Sequence, residues 1–292
     1  MNRFNNFSIL PFYSSLDEQN AYKWWVYGRV YPLFASANFL LPFQILFQSD
    51  ENPFDVVVNI WDKDRNGYGS FYSYGLQTEV LDFGDYKAVV FDGKQLMQPN
   101  LPIGQYFLTV EIAFDEYSID LYSEMFTVVA DMSPYLKIEW WDEQDLVFDA
   151  GRIIYKTTDK RYKQFLYLDA DIAKPEYIFE DESEERDGYT FPIKQISEKR
   201  YKFSFLASEY LLDVMRFIRM ADFVQITYQG KTFLPDSFLI TPEWEKEGDV
   251  AVVKAEFDTD TVVKKLGLGY LRPTGGDFNV DYGPDEIPDF NT

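Results

Sequence analysis

Arg186–Gly230 reads RDGYTFPIKQISEKRYKFSFLASEYLLDVMRFIRMADFVQITYQG. Tyr189–Ile193 and Lys199–Phe205 mix charges with aromatic and β-branched residues, as strands do. Ser208 suits a helix N-cap, and Glu209 suits the first turn, where a carboxylate meets the positive end of the helix dipole. Arg216 and Arg219 carry the favourable sign toward the other end. The pattern predicts a helix from Ser208 to Met220, the one convincing helix in the chain. Its polar residues Glu209, Asp213, Arg216 and Arg219 make a single narrow stripe. The rest is apolar, so cover is expected on nearly all sides. Phe223–Tyr228 returns as a strand, and Gln229-Gly230 turns it into Lys231–Ile240. Strands on one side leave an apolar side over. Tyr210, Val214, Phe217 and Met220 are therefore expected to face outward into an interface.

Upstream, the text is almost entirely strand and turn. Tyr22–Tyr31, Phe39–Phe47, Phe54–Trp61, Gly104–Phe114 and Tyr117–Val129 are separated by turn residues at sandwich-like spacing. Tyr106, Leu108, Val110 and Ile112 alternate with Phe107, Thr109, Glu111 and Ala113, which makes one face the more apolar. Asp131–Pro134 reads as a boundary. The predicted fold class is mainly β. Residues 1–133 form an Ig-like antiparallel β-sandwich with an N-terminal extension. Residues 134–266 form a second β-rich, α+β domain with one buried helix. Residues 267–292 are an extended, acidic C-terminal arm too rich in Gly and Pro to fold alone. The arm keeps Tyr270, Phe278, Tyr282 and Phe290 at intervals, which suits lying on a neighbouring surface.

Composition narrows the chemistry. The 292 residues include no Cys and no His, which removes disulfides, thiolate sites and the commonest general base and metal ligand. A net charge of −22 would repel a phosphate backbone, so no nucleic acid is expected as a partner. Val30–Ser49 is uncharged, but Pro32, Asn38, Pro42, Gln44 and Gln48 interrupt it, so strands are expected there and no membrane span. Met1–Asn20 lacks the pattern of a signal peptide, and synthesis in the cytoplasm is expected.

Few residues suggest a site. Asp62-Lys63-Asp64-Arg65-Asn66-Gly67 matches the first half of a calcium loop, but Ser73 stands where the bidentate Glu belongs. A hairpin with Asn66-Gly67 as a type I′ turn accounts for it, and no metal is expected. Trp24-Trp25 and Trp140-Trp141 raise sugar binding. Adjacent strand residues point to opposite faces, however, so one Trp of each pair should pack inside. Glu180–Asp187 holds six acids among eight residues and reads as a solvated loop or hairpin tip. Glu176, Glu180, Asp181, Glu182, Glu184 and Glu185 lack the dry cleft that catalytic carboxylates need. The basic residues Lys194, Lys199, Arg200 and Lys202 are expected to pair with that run across a hairpin or with a neighbour's arm. No catalytic residue and no cofactor is expected.

Several phrases together resemble a group of virion proteins encoded by tailed phages and prophages of Bacteroidetes. They include ILPFYSSLDEQN (Ile9–Asn20), YPLF (Tyr31–Phe34), LYSEMFTVV (Leu121–Val129), KIEWWD (Lys137–Asp142) and YLDADIAKPEY (Tyr167–Tyr177). RDGYTFPIKQISEKRYKF (Arg186–Phe203), the segment Glu209–Asp222 and FDTDTVVKK (Phe257–Lys265) carry it most firmly. The resemblance implies a structural component of the tail, neck or baseplate, located in the virion. The apolar helix, the aromatic arm and the missing catalytic residue types add the expectation of a homo-oligomer, a ring or collar, that contacts other virion proteins. The competing readings are a carbohydrate- or receptor-binding β-sandwich module and, behind it, a hydrolase working on carboxylates alone.

Overall fold

The computed structural model describes residues 10–21, 33–35, 43–48, 53–72, 78–82, 86–91, 101–141, 146–147, 154–155, 163–186, 188–244 and 250–265. The expected strand at Tyr22–Tyr31, with Trp24-Trp25, lies outside them, as does the C-terminal arm.

In chain order the first elements are β1 (Phe12–Tyr13), α1 (Leu16–Ala21), β2 (Leu33–Ala35), β3 (Phe43–Gln48), β4 (Pro53–Asp62) and β5 (Gly67–Tyr72). There follow β6 (Thr78–Asp82), β7 (Tyr86–Phe91), β8 (Gly104–Phe114), β9 (Ser118–Ser123), β10 (Phe126–Val129), β11 (Leu136–Trp141) and β12 (Leu146–Val147). Next come β13 (Ile154–Tyr155), β14 (Gln164–Leu168), β15 (Glu176–Arg186), β16 (Tyr189–Ser208) and α2 (Glu209–Ile218). The last are β17 (Phe223–Tyr228), β18 (Lys231–Phe233), β19 (Ser237–Trp244) and β20 (Val250–Lys265). The chain is mainly β, built of several antiparallel sheets.

The chain divides into two compact units. One is Met1–Tyr177 with Glu198–Thr261, and the other is Ile178–Ser197 with Val262–Thr292. In the first unit a seven-stranded sheet is organised around β8. β4 runs along one side of it, from Pro53 opposite Phe114 to Asp62 opposite Tyr106. On the other side β9 pairs with the second half of β8 and β10 with the first. The alternation read from the sequence holds in part: Tyr106, Leu108, Val110 and Ile112 are buried and Thr109, Glu111 and Ala113 are not, but Phe107 is buried too, in a second cluster with Met125. Tyr117–Val129 is two strands rather than one, because Glu124 and Met125 form a corner between β9 and β10. A four-stranded sheet runs β14-β11-β17-β18, and another runs β15-β16-β20-β19.

Pro134 lies exposed between β10 and β11, where Tyr135 N–H donates to the Met132 carbonyl at 3.1 Å. Buried side chains on both sides of it, among them Val110, Phe126, Ile138, Met215 and Phe257, belong to one continuous core. Each such side chain stabilises the fold by roughly 1.5–3 kcal/mol relative to exposure.

Three local expectations need correction. The helix is Glu209–Ile218, shorter than expected, and Ser208 takes an extended backbone but makes no side-chain cap bond. Its buried residues Leu211, Leu212, Val214, Met215 and Ile218 subtend an arc of roughly 160° at 100° per residue. This is an ordinary amphipathic helix, not one covered on nearly all sides. It also has company, because α1 is a second helix. Ser15 Oγ accepts from Glu18 N–H at 3.2 Å, and the Glu18 carboxylate reaches back to Ser14 N–H at 3.0 Å. That is close to the Ser-x-x-Glu capping box, legible in SSLDE and passed over.

The turn at Asp62–Gly67 is not type I′, since Arg65 carries the positive φ, at 68°. Asp62 closes it instead: Oδ1 accepts from the backbone of Asp64 and Asn66, and Oδ2 from Asn66 Nδ2, all within 2.9 Å. These donors, Asn66 first, hold its carboxyl below the usual carboxylate range. By contrast, Gln229 and Gly230 both take positive φ, 47° and 77°, and Tyr228 pairs with Lys231 across them. A tight two-residue hairpin requires that backbone.

Candidate assembly surface

The smaller unit has an unusual burial pattern. Apart from Gly188 its described residues lie in regular strands, the outer parts of β15, β16 and β20, yet none of their described side chains is buried. Strand formation satisfies backbone hydrogen bonds, but strands become independently stable only when a hydrophobic face is covered. Here the apolar residues stay open: Phe179 is 71% exposed, Val262 63% and Val263 47%. Val262 and Val263 are consecutive and so point to opposite faces of β20. Both faces of this sheet segment therefore present apolar surface to water. The described acids of the run, Glu180–Glu185, lie in β15, a regular strand at the end of its sheet, beside the short connection to β16, so of the two expected forms they take the hairpin tip and not the loop. Edge strands guarded by charge resist indiscriminate edge-to-edge pairing. Gln195 Nε2 donates to Asp181 Oδ1 at 3.1 Å across these strands.

In the larger unit, the inner parts of β16 and β20 behave conventionally. Phe203, Phe205 and Ala207 point inward, as do Ala251, Val253, Ala255 and Phe257. Three of the basic residues expected to meet the acid run, Lys199, Arg200 and Lys202, have other partners. Arg200 makes a two-bond contact to Asp258, with Nε at 2.7 Å and the second nitrogen at 3.0 Å. Ser237 Oγ donates to the same carboxylate at 2.8 Å. The Arg200 hydrogen bond holds the Asp258 carboxyl below the usual range, against the opposing effect of burial. Lys199 reaches Asp260 at 2.9 Å and Lys202 reaches Glu176 at 2.7 Å. β16, β20 and β19 are thus tied together by one clamp around Asp258. Two residues on, Asp260 takes a left-handed φ of 54°, and β20 is exposed from there onward.

The tryptophan pair divides as expected. Trp140 is 2% exposed, and Trp141 points to the other face of β11. Trp141 is flanked on both sides, by Phe223 of β17 stacked at 5.4 Å and by Lys163 Nζ 3.8 Å from its ring centre. Phe165 and Tyr167 share Lys137 Nζ at 5.4 and 5.7 Å. These rings are engaged with neighbouring side chains.

The residues chosen for an interface fare unequally. Val214 is 1% exposed and belongs to the chain's own core, so it does not face outward. Tyr210 is half-buried against that core, and Phe217 is half-buried beside it on the helix. Met220 is 58% exposed, just beyond the helix end. Tyr270, Phe278, Tyr282 and Phe290 lie outside the described residues. Reasoning on the sequence passed over Val262-Val263, although two adjacent valines between Asp260-Thr261 and Lys264-Lys265 were a readable signal of a strand open on both faces. Among the described residues, no group of three or more Asp or Glu is placed to hold a metal ion. No helix among them is long and apolar enough to cross a membrane. Comparison with protein-family models, with curated proteins and with solved structures finds no match.

Proposed function

We propose that this chain is a structural component of a tailed-phage virion, at the tail, neck or baseplate, which assembles through protein–protein contacts into a ring or collar. The observation that carries the reading is the segment of regular strands with apolar residues open on both faces. A subunit in a closed ring meets two neighbours through two different surfaces. A sheet segment with Val262 on one face and Val263 on the other suits that arrangement. The aromatic residues of 267–292 would extend the contact as an arm. The reading assigns the chain no catalytic residue, cofactor or metal. Of the candidate acids, Glu176, Glu180, Asp181, Glu182 and Glu185 are exposed and Glu184 is half-buried, whereas a working general acid needs a drier setting.

The test is the mass of the full chain in solution by sedimentation, followed by electron microscopy for rings. A concentration-dependent symmetric oligomer is expected. Val262→Asp with Val263→Asp should return it to monomers with an unchanged circular dichroism spectrum. Deleting Gly267–Thr292 should weaken assembly while leaving the fold intact. A full chain that stays monomeric when concentrated, alone and with the other virion proteins, overturns the reading.

A further inference from the structure

Glu124 occupies the corner between β9 and β10 and is 1% exposed. A lone carboxylate there is costly, because burial removes water that neutral donors replace only in part. Tyr13 Oη donates to Oε2 at 2.8 Å and Met125 N–H to Oε1 at 3.0 Å. Among the described residues no lysine or arginine joins them. Burial wins over both donors and pushes the carboxyl up to about 7.

What covers Glu124 is the N-terminal stretch. Glu124 N–H donates to the Pro11 carbonyl at 2.8 Å. β1 adds a two-residue ladder, Phe12 opposite Ser123 and Tyr13 opposite Tyr122. The buried Gln19 side chain of α1 donates from Nε2 to the Ser123 carbonyl. Ser123 Oγ donates to the Glu124 carbonyl at 2.9 Å and accepts from Leu108 N–H at 2.8 Å. Leu10 and Phe12 supply the apolar anchors. Among the described residues the titratable groups facing the corner are few. Tyr13 comes from β1 and half-buried Tyr122 from β9, while β8 presents Phe107 and Leu108. The acids of α1, Asp17 and Glu18, are exposed, and Glu18 is bound to Ser14. Asp62, beside Trp61 on β4, is engaged by its own turn.

We propose that Leu10–Ala21 is a pH-gated clasp, docked on the β9–β10 corner while Glu124 carries a proton and released when Glu124 ionises. The clasp stands independently of the assembly reading. The direction follows from linkage. A group whose folded pKa is raised contributes stability in full below its unfolded value, and that contribution is lost as pH rises through the folded one. With an ordinary value of 4.5 and a docked value of about 7, the opening constant of the clasp should grow about 70-fold from pH 5 to pH 8. It should then level off.

Amide hydrogen exchange of Phe12–Ala21 in the full chain, corrected for intrinsic exchange, reads that constant. The wild type should show the rise, and Glu124→Gln, which cannot ionise, should be flat over the same range. Should the Gln variant fail to fold, Tyr13→Phe serves instead. Removing a donor from the anion raises the docked value further, so the plateau should move to higher pH. Flat exchange in the wild type, the same pH dependence in Glu124→Gln, or an unmoved plateau in Tyr13→Phe would overturn the clasp.

Discussion

Val250–Thr259 and Val262–Lys265 belong to one strand, β20, yet water treats them differently. In the first stretch Ala251, Val253, Ala255 and Phe257 are all 2% exposed or less. In the second every residue is exposed, valines included. The sequences do not differ enough in β propensity to explain this, since each holds a pair of adjacent valines, Val252-Val253 and Val262-Val263. The difference lies in what each side chain meets. Phe257 stacks on Tyr201 at 5.2 Å and meets Phe233 at 5.5 Å. For Val262 and Val263, exposure of 63% and 47% leaves much of each side chain open to water. The lesson is that strand formation and burial are separate achievements, and a strand of 16 residues can be half core and half surface. The change falls at the Asp258 clamp and the left-handed Asp260.

Three substitutions would break or sharpen that contrast. The largest effect belongs to Phe257→Ala, in the covered stretch. Chemical denaturation should show a loss of about 3–5 kcal/mol, the range for truncating a buried Phe. Next is Asp258→Ala, which leaves Arg200 and Ser237 without their acceptor and should cost about 1–3 kcal/mol in the same assay. Its pH signature has a definite sign. The depressed carboxyl of Asp258 contributes stability above the unfolded value of about 4, and that contribution is lost as pH falls through the lower folded value. Thermal melts of the wild type should therefore weaken on acidification by more than those of Asp258→Asn. An equal acid response in both would separate the clamp from the pH effect. The smallest effect on folding is expected for Val263→Asp, within about 0.5 kcal/mol, as for an exposed site away from the core. A loss comparable to that of Phe257→Ala would show that Val263 is covered within the folded chain and would erase the contrast.

Much of the strand order was legible, because alternation and turn residues are local signals. β8 and β17 form where their patterns placed them, and Gln229-Gly230 makes the turn assigned to it. Where a local rule had two valid outcomes, the contacts made in the fold chose between them. Asn66-Gly67 permits a type I′ turn, but the Asp62 carboxylate takes the backbone donors of Asp64 and Asn66, and the positive φ falls at Arg65. The charge of the acid run suits a loop or a hairpin tip alike, and the structure takes the second form, the end of an exposed edge strand. Val214 was assigned outward on the assumption that all sides of α2 needed cover. Only the positions of the neighbouring elements show which arc of that helix the core claims.

By itself the sequence determined the class. Aromatic and β-branched alternation with frequent turn residues commits the chain to antiparallel sheets, and the lack of Cys and His removes whole families of chemistry. Tertiary structure alone decided which apolar residues are core and which are surface. It also placed Glu124 under the N-terminal stretch, 111 residues away from Tyr13 in the chain. Burial depends on what lies above a residue, and contacts between distant segments leave no trace in local periodicity.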